Sequence, residues 1–208
     1  MPPRDPMPRP GAIEPELPRP ATILPRMAPL ILSTSLSSKS RSRILAREAA
    51  GVLEAAGHAP EVFDLRKTEL PLCDGEAAYG HANVAPLAKA VEAADGVLVA
   101  TPVYNYDVNA ALKTAIELTG KAWTGQAVGF LAAAGGQGSY MSLCGVMNSL
   151  MLDFRAICVP RFVYATGDAF DPGPGGEELT DEAIKERIAE LCDRTVKLSK
   201  AWRQITAQ

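Results

Sequence analysis

The sequence predicts an α/β domain in which a doubly wound parallel sheet carries helices on both faces. Short apolar runs alternate with longer amphipathic stretches after residue 29, and strictly alternating strands and helices imply parallel strands joined by crossover helices. Residues 97–100 and 128–131 are apolar without interruption, as expected of strands that are covered on both faces. A length of 208 residues suits one such domain.

The individual elements follow from these runs and from the residues between them. The apolar runs predict five strands, at 30–33, 61–65, 96–101, 127–133 and 158–166. The amphipathic stretches predict five helices, at 40–56, 84–94, 108–119, 139–154 and 181–202, and the Pro- and Gly-rich residues 171–176 predict a loop before the last helix. This count matches the flavodoxin-like form of the fold, with five parallel strands and the ligand site at their carboxyl ends. Function is therefore expected in the loops after the first, third and fourth strands.

The N-terminal segment differs from the rest of the chain. Ten of the 17 prolines fall in residues 1–29, a density that removes backbone donors and opposes both helix and sheet. We therefore expect a disordered segment at 1–28 and the folded domain at 29–208. Met27 stands directly before the first strand. Residues 1–26 are therefore expected to be either a tail or a segment misassigned as coding from an upstream start of translation.

The composition excludes several classes of partner. The net charge is −3, the isoelectric point is about 5.5, and no basic stripe offers the footprint that a nucleic acid requires. No run approaches the ~20 apolar residues of a membrane span, so no membrane association is expected. The four cysteines form no CxxC pair, which favours reduced thiols in a cytoplasmic protein without a metal site; they are Cys73, Cys144, Cys158 and Cys192.

The first of the three loops, residues 33–42, is rich in serine and leads into a helix. Hydroxyl groups beside the unpaired N–H groups of a helix start can hold a phosphate, and the helix dipole favours its negative charge. The loop contains no glycine, which excludes the Walker A and GxGxxG patterns and favours a monophosphate. The alternative is a solvent-facing turn in which one serine caps the helix.

The other two loops suit a flat ring. In residues 101–107 a proline fixes the backbone beside aromatic and amide groups, which can lie against a ring and bind its polar edge. The alternative is a turn in which Asp107 caps the next helix and the tyrosines pack on neighbours. In residues 134–139 three glycines allow close backbone approach and positive φ angles, although a flexible turn would also use them.

These motifs resemble the NAD(P)H-dependent FMN reductase family, a flavodoxin-like group that includes quinone, azo-dye and chromate reductases. The resemblance covers residues 29–167. The family's first loop reads approximately G-S-x-R-x-x-S-x-[NT] and holds the FMN phosphate, with Thr34 here in place of the Gly and Ser37 in place of the Arg. Lys39 or Arg41 would then supply the lost positive charge, and we favour Arg41. The implied phosphate-loop residues are Ser35, Ser37, Ser40, Arg41 and Ser42.

The most specific match is the family's T-P-x-Y-N motif, present at residues 101–105 and followed by Ala111-Leu112-Lys113. It implies contacts to the isoalloxazine ring from Pro102, Val103, Tyr104, Asn105 and Tyr106. The third loop would approach the other edge of the ring, mostly through its backbone, with Gly135, Gly136, Gln137, Gly138 and Ser139. No catalytic side chain is expected, because the cofactor performs the redox chemistry and the histidines, His58 and His81, lie in predicted loops.

The resemblance implies an FMN-dependent oxidoreductase that passes hydride from NADPH or NADH to a small acceptor such as free flavin, a quinone, an azo dye or a metal oxyanion. A flavodoxin-type electron carrier and a protein with a vestigial pocket are the alternatives. The resemblance also implies a homodimer or homotetramer. The Met- and Leu-rich stretch 140–152 is the candidate contact surface, although most of its apolar side chains are expected in the core.

Overall fold

The computed structural model describes residues 26–173 and 176–206 of the chain. Residues 1–25, most of the segment predicted to be disordered, therefore lie outside the described residues. Met27 is buried, and its carbonyl accepts a hydrogen bond of 2.8 Å from the backbone N–H of Ala59. The backbone N–H of Ala28 donates to Asp95 Oδ2 at 2.9 Å. Both residues thus make contacts with the folded part of the chain.

The central sheet confirms the flavodoxin-like doubly wound fold. Its strands run in the order β2-β1-β3-β5-β6, with β7 also paired to β5 and a short antiparallel β4 paired to β3. The register places Leu32 opposite both Phe63 and Val99. The strands are β1 Leu30–Ser33, β2 Glu61–Asp64, β3 Val97–Tyr104, β4 Asp107–Val108, β5 Ala127–Ala133, β6 Ile157–Cys158 and β7 Val163–Ala165.

Helices cover both faces of this sheet, as predicted. Alternate residues of the central strands enter two apolar clusters: Val99 and Phe130 belong to one cluster and Leu98 and Leu131 to the other. Helices α2, α3 and α4 contribute to the first cluster, and α1 and α5 to the second. The helices are α1 Arg41–Ala55, α2 Val84–Ala93, α3 Ala110–Thr119, α4 Cys144–Phe154 and α5 Glu182–Thr206. No helix within the described ranges is long and apolar enough to cross a membrane.

Two elements differ from the prediction. The predicted strand 158–166 is interrupted between β6 and β7, where Pro160 lacks an N–H donor and Arg161 has a φ of 60°. The predicted loop at 171–176 instead forms an antiparallel hairpin, with β8 Phe170–Gly173 paired to β9 Gly176–Leu179. Buried side chains of Phe170 and Leu179 anchor this hairpin in the core. Proline and glycine suggested a turn, but an edge strand tolerates both.

The packing of α5 on β5 generates a stability prediction. A Cβ atom added to Gly129 in β5 would lie 2.7 Å from Thr195 Oγ1 and 2.9 Å from Leu98 Cδ2. We expect Gly129→Ala to lower the free energy of unfolding by about 1–3 kcal/mol, because overpacking forces the core apart. Gly51→Ala is the control, since Gly51 lies in the exposed interior of α1 with nothing within 4 Å of an added Cβ. The control should raise stability by about 0.5–1 kcal/mol in urea titrations. Equal effects of the two changes would contradict the close approach of α5.

Candidate functional site

The three loops singled out in the sequence meet in one cleft at the carboxyl edge of the sheet. They meet because β1, β3 and β5 are neighbours in the sheet and parallel. The cleft has a volume of about 280 Å³. Its lining consists of Ser35, Ser37, Lys39, Ser40, Arg41 and Ser42 from the first loop, Pro102, Val103 and Tyr104 from the second, Ala133, Ala134 and Gly135 from the third, and Glu177 from β9.

Nine of the predicted site residues therefore line this cleft, and six do not. The six are Asn105, Tyr106, Gly136, Gln137, Gly138 and Ser139, which follow lining residues along the second and third loops. Lys39 and Glu177 join the lining as charged groups. Lys39 was the second candidate for the positive charge, whereas Glu177 had no signal in the sequence because its hairpin was predicted as a loop.

The serine-rich loop provides hydroxyl groups at the start of α1. Ser40 is the N-cap of the helix, and its Oγ accepts from the backbone N–H of Arg43 at 3.2 Å. The same Oγ lies 3.1 Å from the Oγ of Ser42, and Ser35 and Ser42 are almost fully buried. The first N–H groups of a helix find no acceptor within it, and its dipole is positive at this end. Ser40 thus caps the helix and also lines a seat suited to an anion.

Arg43 fixes this loop from behind. Its guanidinium donates to the carbonyl oxygens of Ser35 and Ser37, each at 2.7 Å, and its Nε donates to Asp64 Oδ2 at 3.0 Å. These contacts fix the backbone of the loop. The guanidinium of Arg43 therefore has a structural role and is not available to bind a ligand. Sequence reasoning missed this role because Asp64, which is opposite Ser33 in the sheet, becomes a neighbour of the loop only in the folded chain.

Arg41, the predicted source of positive charge, lies at the rim of the cleft in an ion pair. Its Nε and Nη2 donate to the two carboxylate oxygens of Glu177 at 2.9 and 2.6 Å, and its guanidinium carbon lies 5.5 Å from the centroid of the Phe170 ring. The hydrogen bond lowers the pKa of Glu177 and raises that of Arg41. Both side chains thus stay charged at neutral pH, and the positive charge of Arg41 is partly neutralised.

The second loop is a β-hairpin tip. Tyr104 pairs with Asp107, and the turn residues Asn105 and Tyr106 have φ angles of 51° and 67°. Two consecutive left-handed residues are typical of the tight turn that matches the twist of a hairpin. The predicted start of α3 at residue 108 is therefore wrong. Asp107 does not cap that helix, because its Oδ1 accepts from the adjacent N–H of Val108 at 2.7 Å.

Beneath the cleft, a buried amide joins the first loop to the second. The Nδ2 of Asn109 donates to the carbonyl of Thr34 at 2.8 Å. Its Oδ1 accepts from the hydroxyl groups of Thr34 at 2.9 Å and Thr101 at 3.1 Å. All three residues are buried, so the network is shielded from water. Sequence reasoning missed Asn109, which the prediction placed inside the helix 108–119. The structure places it directly before α3, where its side chain makes no capping hydrogen bond.

The third loop presents an open backbone surface. A Cβ atom added to Gly135, Gly136 or Gly138 would meet nothing within 4 Å. The loop is held from below by the hydroxyl of Tyr164, which donates to the carbonyl of Gly136 at 2.7 Å. The expectation of positive φ was wrong, since none of these glycines has one. The side chain of Gln137 is directed to Thr166, to whose Oγ1 its Nε2 donates at 3.4 Å.

Taken together, the cleft joins an anion seat to an exposed, side-chain-free surface, on a fold of the flavodoxin-like class. Residues 27–171 match the model of a family described as NADPH-dependent FMN reductase. The chain belongs to this family. No group of three or more His, Cys, Asp or Glu side chains in the described part of the chain could hold a metal ion.

Individual relatives agree with this assignment. The chain is 30% identical over 151 residues to an NADPH azoreductase from Bacillus sp. (strain OY1-2), with 70% of this chain and 82% of that protein covered. It is 29% identical over 147 residues to an NAD(P)H-dependent FAD/FMN reductase from Geobacillus thermodenitrificans, with 67% and 77% covered. The fold is similar to that of the flavoenzyme NAD(P)H:(acceptor) oxidoreductase FerB from Paracoccus denitrificans, with a TM-score of 0.68, 20% identity and coverage of 84% and 98%.

The Asn109 network predicts a large loss of stability when its amide is removed. Asn109→Ala should lower the free energy of unfolding by about 1–3 kcal/mol, because the buried carbonyl of Thr34 loses its donor. The hydroxyl groups of Thr34 and Thr101 keep only their 3.2 Å contacts to the carbonyls of Ala100 and Pro102. Asn83→Ala is the matched control, since Asn83 also precedes a helix but is exposed and makes one bond, to the carbonyl of Glu69 at 2.8 Å. Urea unfolding of both variants measures the difference. Equal losses would show that the buried network contributes no more than an exposed hydrogen bond.

Proposed function

We propose that the cleft binds FMN and that the protein is an NAD(P)H-dependent FMN reductase. The phosphate would be held by the hydroxyl groups of Ser35, Ser40 and Ser42 and by the first N–H groups of α1. The ring would lie between the Tyr104 hairpin and the loop of Gly135. The observation that carries this proposal is the single cleft in which hydroxyl groups and a helix N-terminus adjoin Pro102, Val103 and Gly135.

The residues present fit this cofactor. Three hydroxyl groups, a helix start and the cations Lys39 and Arg41 suit a phosphate monoester. At Gly135 an added Cβ atom would meet nothing within 4 Å, so the backbone there is open to close approach by a planar ring. Within the described part of the chain the Lys39 ammonium makes no hydrogen bond or ion pair with a side chain, so it is available to an anion. The carboxylate of Glu177, which also lines the cleft, is the one lining group that would repel a phosphate.

FMN, when bound, accepts hydride from a nicotinamide and delivers electrons to an acceptor. The chain itself holds the phosphate and leaves one approach to the ring open. The histidines serve elsewhere: His58 Nδ1 accepts from the N–H of Met27 at 3.3 Å, and His81 Nδ1 accepts from the N–H of Asn83 at 3.3 Å. Neither histidine is part of the cleft lining.

The electron acceptor would be a small molecule, and the names of the relatives indicate its range. They include a reductase of FAD and FMN, an azoreductase and an NAD(P)H:quinone oxidoreductase from Solanum tuberosum. Free flavins, azo dyes and quinones share a planar conjugated system that can approach an exposed ring. We propose an acceptor of this kind. That a metal oxyanion could serve as electron acceptor stays a prediction from the sequence. The cytoplasmic location of the protein also stays a prediction.

We also propose that the protein is a homodimer or homotetramer in which a second copy covers the cleft. The cleft volume of about 280 Å³ lies just below the roughly 300–1,000 Å³ of typical ligand sites. Large apolar side chains remain exposed beside it: Tyr104, Tyr106, Tyr140 and Met141 are 46–55% exposed. The expectation that most apolar side chains of the stretch 140–152 lie in the core is wrong. Leu143, Val146 and Leu150 are buried, whereas Met151 and Leu152, like Tyr140 and Met141, are exposed and available to a partner.

The ring position predicts that a side chain at residue 135 will block the cofactor without harming the fold. Gly135→Val adds its side chain to open space, so we expect at least a tenfold weaker Kd for FMN, which is about 1.4 kcal/mol. Gly80→Val is the control, because Gly80 is equally open but lies in another turn. Quenching of flavin fluorescence measures both. Unchanged FMN affinity in Gly135→Val would contradict the proposed position of the ring against this loop.

The reductase activity predicts bleaching of bound flavin by pyridine nucleotide. Absorption spectra of the protein with FMN, recorded anaerobically before and after NADPH or NADH, should show loss of the oxidised flavin bands. Bound flavin that stays oxidised with both nucleotides would instead favour an electron carrier. A protein that binds no FMN would overturn the assignment of all three loops.

A further inference from the structure

An acidic side chain lies where the proposed function places a phosphate. Glu177 lines the same cleft as Ser35, Ser40 and Ser42, although a carboxylate repels an anion. Its two oxygens hold the Nε and Nη2 of Arg41 at 2.9 and 2.6 Å. Arg41 is therefore engaged before any phosphate enters the cleft.

We propose that Glu177 determines how strongly the site distinguishes FMN from riboflavin, by competing with the ligand phosphate for Arg41. The inference rests on the proposed FMN site and goes beyond it. Three charged residues line the cleft together with these serines, namely the cations Lys39 and Arg41 and the carboxylate Glu177. A phosphate carries up to two negative charges, so the loss of one opposing cation matters at this site. Riboflavin has no phosphate and is indifferent to the competition.

The residues around the Arg41–Glu177 pair position both side chains beside the cleft. The hairpin that carries Glu177 is anchored by the buried side chains of Phe170 and Leu179, so the backbone of residue 177 stays beside the cleft. On the other side of Arg41, its guanidinium lies over the Phe170 ring, and its Nη1 is 2.9 Å from the position of an added Cβ on Gly167. A phosphate must therefore share the guanidinium or displace the carboxylate.

Arg43 is not an alternative source of charge. Its donors are committed to Asp64 and to the carbonyl oxygens of Ser35 and Ser37. The Arg41–Glu177 pair itself is partly exposed, with 37% and 42% of the two side chains accessible, and such pairs contribute little to stability. Removal of the Glu177 charge should therefore leave the fold intact and change the ligand balance.

The test compares FMN with riboflavin, both titrated by fluorescence quenching against the wild-type chain and Glu177→Gln. We expect Glu177→Gln to tighten FMN about threefold, the scale of an exposed ion pair, and to leave riboflavin unchanged. Arg41→Gln should weaken FMN alone. Glu178→Gln is the matched control, because Glu178 is the next residue of the same strand and its substitution removes the same charge. It should change neither affinity.

Each outcome supports or overturns the proposed competition between Glu177 and the phosphate. If Glu177→Gln leaves the ratio of the two affinities unchanged, or weakens the binding of FMN, the proposal is overturned. A similar gain in FMN affinity in Glu178→Gln would show that the effect comes from net charge alone, and this would also overturn the proposed competition. If the wild-type chain binds neither flavin, the proposed function fails and the inference fails with it. Thermal unfolding of each variant shows whether the affinities refer to folded protein.

Discussion

The buried carboxamide of Asn109 is the contact on which the geometry of the cleft depends. It joins the carbonyl and hydroxyl groups of Thr34, just after β1, to the hydroxyl of Thr101 in β3. The sheet already pairs these strands, since Ser33 lies opposite Ala100 and the N–H of Thr34 donates to the carbonyl of Ala100 at 2.9 Å. The Asn109 side chain adds the start of α3 to this pair, and a buried network of this kind is held because leaving a member unpaired costs free energy. Thr34, which departs from the family pattern, takes part in this network through its hydroxyl.

Above this floor the site divides into two chemically different halves. One half holds hydroxyl groups and a helix start, with its backbone fixed by Arg43. The other half is formed by a rigid hairpin tip and by glycines without obstructing neighbours. A ligand with a phosphate at one end and a planar ring at the other meets both requirements. The Arg41–Glu177 pair at the rim would adjust the first half alone, since the residues of the ring half that line the cleft are uncharged.

The fold was accessible from the sequence, because buried parallel strands consist of uninterrupted apolar residues such as 97–100 and 128–131. The positions of the three loops followed from that fold and from the T-P-x-Y-N motif. What the sequence did not predict depends on tertiary contacts. Arg43 reaches Asp64 across 21 positions, and Arg41 reaches Glu177 across 136. The β8–β9 hairpin escaped notice because its residues favour turns, while its pairing depends on core contacts of Phe170 and Leu179.

In the proposed complex one cleft holds both ends of FMN, and a crystal structure of the protein with FMN tests this most directly. We expect phosphate oxygens within hydrogen-bond distance of the hydroxyl groups of Ser35, Ser40 and Ser42, with the ring between Tyr104 and Gly135. A flavin bound elsewhere, or one whose phosphate avoids the start of α1, would contradict it.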